Sequence, residues 1–172
     1  MLGLPKGSVF LSPWDSEWEN YFLLEKEKIM NVIGKNIIVI HHIGSTSVKD
    51  LSAKPIIDMA IEINIFDDGF LCIDDLKILG YKHRIIPELP DRHYFSKGEP
   101  RTYQIHMFPK GSIYLQKLLA FRDCLQKDSK VKEEYQKIKE ELSTEYNKDK
   151  LAYADAKTDF INNVLEKLGF RE

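Results

Sequence analysis

Asp58 sits in the run PIIDMAIEI, residues 55–63, between residues that belong in a core. A carboxylate buried there without a partner is expensive, so its presence points to a cation, a hydrogen-bond donor or an open cleft. In a strand, residues two apart share a face. Asp58, Ala60 and Glu62 then project one way, and Ile57, Met59, Ile61 and Ile63 the other. Upstream, the apolar run ending in His41 and His42 leads into Gly44-Ser45-Thr46-Ser47. Gly44 permits close backbone approach and unusual dihedrals. Backbone N–H groups at the start of a following helix, with the hydroxyls of Ser45 and Thr46, can hold phosphate oxygens.

A strand, a Gly-Ser turn and an acid on the next strand outline a metal-triphosphate site. Mg²⁺ would bridge Asp58 and the phosphates and neutralise developing charge. Lys54 adds a positive contact, and Arg92 and Arg101 are candidate phosphate or substrate contacts. His106 and Glu62 are candidate helpers for the metal. His106 shares a polar strand face with Thr102 and Gln104, whereas Glu62 lies roughly 13 Å from Asp58 by strand rise. The rival reading makes Asp58 a structural acid satisfied by Ser45, Lys54 or an arginine. His41 and His42 point to opposite faces, so at least one is a packed histidine. Lys139 and Lys157 lie on charge-rich helices, where a solvated face is the default.

These residues need elements to position them. Ser12-Pro13-Trp14-Asp15 reads as a helix start, running to about residue 32 with Trp18, Phe22, Ile29 and Ile33 on its buried side. Gly34 breaks it. Strands are expected over 36–42, 55–63 and 81–87, with a helix over 67–79. Residues 92–97 and 101–108 flank Gly98-Glu99-Pro100 and read as a hairpin. Beyond Gly111, apolar residues at helical spacing predict three helices, the last carrying Leu151, Ala154, Thr158, Ile161, Leu165 and Leu168 on one face. The fold class is a mixed α/β (α+β) sheet in one domain over 1–172, with an α/β part at 1–110 and a helical part at 111–172.

The chain has 172 residues, 25 Lys and Arg against 27 Asp and Glu, and a formal net charge of −2. That balance gives no whole-protein reason to expect nucleic acid or an anionic membrane as partner. Cys72 and Cys124 form no C-x-x-C pair, so a reduced, cytoplasmic setting is expected. No signal peptide and no membrane span are expected.

The stretch HIGSTSVKDLSAKPIIDM, residues 42–59, resembles the signature of the GrpB family, written around HIGSTSVPGLPAKPIIDI. The resemblance extends to Gly80-Tyr81, Arg92 with Tyr94-Phe95, Ile105-His106, Phe121-Arg122-Asp123, Tyr135 with Lys139, and Tyr153 with Lys157. It implies a nucleotidyltransferase-like domain of DNA polymerase beta type. The implied activity is transfer of a nucleotidyl group from a magnesium-bound nucleoside triphosphate to a small molecule or protein hydroxyl. Asp58 would be the catalytic metal ligand. The wider superfamily carries two acids spaced D-x-D, and position 60 here is alanine. Lys49-Asp50 replace the family's Pro-Gly. The alternatives are a non-catalytic nucleotide or metabolite binder, and an interaction domain with a protein partner, linked through some relatives to coenzyme A metabolism.

Overall fold

The computed structural model describes residues 1–171, with Lys150 described by its backbone alone. Five strands form one mixed sheet: β1 (Val39–Ile43), β2 (Ile57–Ile63), β3 (Tyr81–Arg84), β4 (His93–Lys97) and β5 (Tyr103–Pro109), in the order β1-β2-β5-β4-β3. β2 and β5 are parallel, and the other pairs are antiparallel. The helices are α1 (Glu17–Ile33), α2 (Ile73–Ile78), α3 (Ile113–Lys127), α4 (Ser129–Glu145), α5 (Lys150–Ala156) and α6 (Thr158–Lys167). This is the expected α+β arrangement with a mixed sheet. Among the described residues, no helix is long and apolar enough to cross a membrane.

The alternation in β2 separates two faces. Ile57, Met59, Ile61 and Ile63 are fully buried. They pack in one cluster with Trp18, Phe22, Ile29 and Ile33 of α1, Leu76 of α2, and Phe95, Ile105 and Met107 of the neighbouring strands. Each such side chain contributes roughly 1.5–3 kcal/mol by leaving water. The opposite face carries Asp58, Ala60 and Glu62, beside Gln104, His106 and Phe108 of β5 in register. α3 covers part of it, through Leu115 packed against Ile43, Ala60 and Phe108.

Several boundaries differ from the periodicity reading. α1 begins at Glu17 rather than after Ser12. The Ser12 backbone instead exchanges hydrogen bonds with Ala53, at 2.8 and 3.0 Å, and Asp15 Oδ1 accepts from the Glu17 N–H at 3.0 Å. The helix expected over 67–79 is a 3₁₀ stretch, Phe66–Cys72, followed by the short α2. The last helix breaks at Lys157 into α5 and α6. The break resets the helical phase: Tyr153 turns fully inward, while Leu151 is 79% exposed and Thr158 faces solvent.

One buried charge ties the first layer to the sheet. Glu25 of α1 is 1% exposed and accepts from the Tyr81 hydroxyl at 2.9 Å and from Lys97 Nζ at 2.6 Å. Burial pushes the enclosed Tyr81 phenol up, and the neighbouring Glu25 carboxylate adds to the rise. Glu25→Gln keeps shape but weakens both bonds, and is expected to cost about 1.5–3 kcal/mol in urea unfolding. An unchanged unfolding midpoint would show that the tie is incidental.

Candidate functional site

Antiparallel pairing sets Ile43, the last residue of β1, opposite Asp58. The chain therefore turns at Gly44 directly over the acid. Gly44 has φ 72 and ψ −178, a region open essentially to glycine. A Cβ there would lie 2.9 Å from Asp58 Oδ2 and 3.3 Å from Asp58 Cβ. Ser47 Oγ closes the turn by donating to the Gly44 carbonyl at 2.5 Å.

The turn differs from the expected phosphate cradle in two respects. Ser45–Ser47 is a single 3₁₀ turn of three residues, too short to supply the aligned N–H groups and dipole of a helix start. Thr46 is buried, with its Oγ1 3.0 Å from His42 Nε2, so its hydroxyl is engaged with β1 rather than offered to a ligand. His42 in turn lies 3.3 Å from Glu19 and stacks on Phe22 at 4.6 Å, which makes it the packed histidine of the pair.

Positive charge surrounds the acid unevenly. Burial lowers the Lys54 pKa, the Asp58 charge opposes the fall and Arg101 adds to it, so these three groups share one local field. Arg101 Nη1 donates to the Tyr94 hydroxyl at 3.4 Å and lines a polar hollow of about 190 Å³ with Lys6 and Arg84. Arg92 stands at the other end of the hairpin. Its guanidinium pairs with Asp91 at 3.1 Å and lies 4.5 Å from the Phe108 ring centre. It borders a largely apolar cavity of about 260 Å³ that also touches Gly44, Ser45, Leu118, Phe121 and Tyr135. The two arginines thus serve different hollows. Arg122 reaches the site through the backbone: Nη1 donates to the His42 carbonyl at 2.9 Å while Nη2 pairs with Asp123 at 2.8 Å.

The expected metal helpers are not gathered around Asp58. In the β2–β5 register Asp58 faces Gln104, and His106 stands one pair further along, beside Ala60 and Tyr94. The His106 Nδ1 is buried without a hydrogen-bond partner. Burial, helped by the Arg92 charge, drives its pKa down to about 3, so the ring is neutral. Glu62 lies beyond it, next to Val39 and Phe108. Among the described residues no group of three or more His, Cys, Asp or Glu is placed to hold an ion. Magnesium is commonly held by one or two carboxylates plus ligand phosphates and waters. Asp58 fits the lower end of that range.

Sequence reasoning missed the other cationic wall. Lys139 is 1% exposed, not on a solvated face. Its amine donates to the Ser52 carbonyl and lies 5.3 Å from the Tyr135 ring centre. Burial pushes its pKa well down, and the charges of Lys157 and Lys54 push the same way. Lys157 and Lys54 stand 4.4 and 5.3 Å from the Tyr153 ring centre. Burial raises the Tyr135 phenol to about 12, with Ser45 opposing and the Asp58 charge adding. The available signal was a repeated spacing: Tyr135–Lys139 and Tyr153–Lys157 are both Tyr-x-x-x-Lys, an i,i+4 pair on one helix face.

The class defined by this architecture is an α+β protein whose sheet packs one apolar face and presents an acid, a Gly-Ser turn and a cationic wall on the other. The chain belongs to the GrpB family, whose GrpB protein pattern it matches over residues 8–167. It is 34% identical to UPF0157 protein YqkA of Bacillus subtilis over 94% of this chain and 48% of that one, so it spans about half of that relative's length. It is 28% identical to glutamate-rich protein GrpB of Alkalihalophilus pseudofirmus over 98% of this chain and 100% of that one. The crystal structure of conserved protein GrpB from Enterococcus faecalis superposes with a TM-score of 0.83 at 25% identity, covering 94% of this chain and 100% of that one.

Two outcomes follow from this geometry. Gly44→Ala is expected to cost about 1–3 kcal/mol for the backbone alone, and more through the contact with Asp58. Gly111, which has φ 83 and nothing within 4 Å of an added Cβ, is the control. Equal losses from Gly44→Ala and Gly111→Ala in urea unfolding would remove the Asp58 contact from the account. The second outcome concerns pH. His106 binds its proton more weakly folded than unfolded, so stability falls as pH drops from about 6.5 towards 3 and levels off below. His106→Phe should flatten that slope by up to about 1.4 kcal/mol per pH unit. An identical slope in the variant would assign the acid sensitivity to other groups.

Proposed function

We propose that this protein binds a nucleoside triphosphate, or a related phosphorylated small molecule, where the Gly44–Ser45 turn meets Asp58. The observation that carries the reading is how closely the turn passes the acid: a Cβ added at Gly44 would lie 2.9 Å from Asp58 Oδ2. It makes the turn and the acid one site, with Ser45 opening onto the cavity and Lys54 alongside. Lys54 supplies a charge-assisted contact for a polyanion, and Arg92 supplies one from the cavity side, while Arg101 lines the separate polar hollow. Thr46 takes part through its backbone, since its side chain is held by His42.

Magnesium enters this reading as a partner of the ligand's phosphates, with Asp58 as its protein carboxylate. Its contribution is charge neutralisation on the phosphate oxygens. Ala60 stands on the Asp58 face where a second carboxylate would complete a two-acid site. That observation favours binding over turnover, because phosphoryl chemistry rests on holding the ion and the reacting phosphate throughout. Nucleotidyl transfer to a small molecule or protein hydroxyl is the reaction this site would serve if one carboxylate suffices.

Calorimetric titration of ATP with and without Mg²⁺, on the wild type and on Asp58→Asn, tests the proposal. The wild type should bind more tightly with Mg²⁺. The variant should lose that increment, because the amide cannot carry the carboxylate's charge. A variant that retains full Mg²⁺-dependent affinity would leave Asp58 as architecture alone.

A further inference from the structure

The lysines behind the turn are arranged for more than solubility. Lys54 comes from the loop before β2, Lys139 from α4, and Lys157 from the junction of α5 and α6. Three separate elements bring three like charges close enough for Lys157 and Lys54 to disfavour the charged form of Lys139. Between them stand two phenols. The Tyr153 ring is fully enclosed, yet its hydroxyl is buried with no hydrogen-bond partner. That hydroxyl lies close enough to Tyr135 for a phenolate there to oppose its ionisation, and Tyr135 in turn meets Ser45 and feels the Asp58 charge. Tyr135 and Ser45 both border the largely apolar cavity of about 260 Å³, so the cluster adjoins that cavity through these two residues.

We propose that Lys54, Lys139, Lys157 and the Tyr153 hydroxyl form an inner oxyanion subsite that takes the terminal phosphate of the ligand. This rests on the phosphate-binding reading of the Gly44–Ser45 turn and adds residues on the helices to it. A purely structural account explains the amines as cations over aromatic rings, with Lys139 tied to the Ser52 carbonyl. It does not explain the hydroxyl. A phenylalanine at position 153 would provide the same ring without a buried donor left unsatisfied. An anion entering between the amines would accept from that donor and favour the charged form of Lys139.

Inorganic tripolyphosphate, which carries neither base nor sugar, is the probe, titrated beside ATP. Tyr153→Phe should weaken tripolyphosphate binding about tenfold while the unliganded protein melts no lower than wild type, since only an unpaired hydroxyl is removed. Lys139→Met should weaken it as well and lower its salt dependence. If Lys139→Met does not fold, Tyr153→Phe carries the test. If both variants bind tripolyphosphate as the wild type does while Ser45→Ala weakens it, the inner subsite is wrong and the turn remains the phosphate site. A wild type that binds ATP but not tripolyphosphate overturns the subsite too. Absence of binding to either probe removes both the subsite and the reading on which it rests.

Discussion

The approach of the Gly44 backbone to the Asp58 carboxylate is the contact on which the polar face depends. It follows from the pairing of Ile43 with Asp58, which brings the turn at Gly44 over the acid. From that point the loop to Ala53 is held by the C-terminal helices. Gln126 of α3 donates to the Ser47 carbonyl at 3.0 Å. From α4, Lys132 donates to the Lys49 carbonyl at 3.2 Å, and Gln136 accepts from the Ser52 N–H at 2.9 Å. Leu51 and Val48 are buried against Leu125 and Tyr135. Side chains from helices far along the sequence thus satisfy the loop's polar backbone and anchor its apolar residues.

Among the described residues, Glu25 and Lys139 are a buried carboxylate and a buried amine treated in opposite ways. Glu25 is answered by a hydroxyl and by the Lys97 ammonium, which suits a permanent joint between α1 and the sheet. Lys139 gives its hydrogen bond to a carbonyl and stands within the field of two further lysines. The first arrangement lowers the cost of burial. The second keeps positive potential close to Ser45 and Asp58, at some cost to the folded state. In the proposed reading, that potential is what would draw a polyanion.

The two-faced strand was legible in PIIDMAIEI because period-2 alternation is a local property, and the Gly-Ser turn because it follows an apolar strand. The hairpin was legible for the same reason, and its β4–β5 pairing is observed. What failed were inferences that needed the third dimension. Ser12 has the sequence of a helix cap, but its backbone is taken by Ala53, remote in sequence. Lys139 lies in a helix full of charge, and its burial follows from Ser52 and Tyr135 meeting it, which spacing within α4 does not show. Lys49-Asp50 looked like a departure from the Pro-Gly of the family signature. Asp50 has φ 64, so the backbone keeps the left-handed conformation that glycine adopts freely and aspartate tolerates.

Ala60 gives the site its character. An acid at that position would share a face with Asp58 and sit beside His106 in the register. Instead the methyl group is fully buried and packs with Ile43, Phe108 and Leu115, bringing α3 down onto the sheet. A carboxylate there would have to be desolvated beneath that helix, next to an imidazole whose Nδ1 is already unpartnered. In the proposed phosphate-binding reading, protein cations on the helices and loop would share the neutralisation of the ligand with any metal held at Asp58.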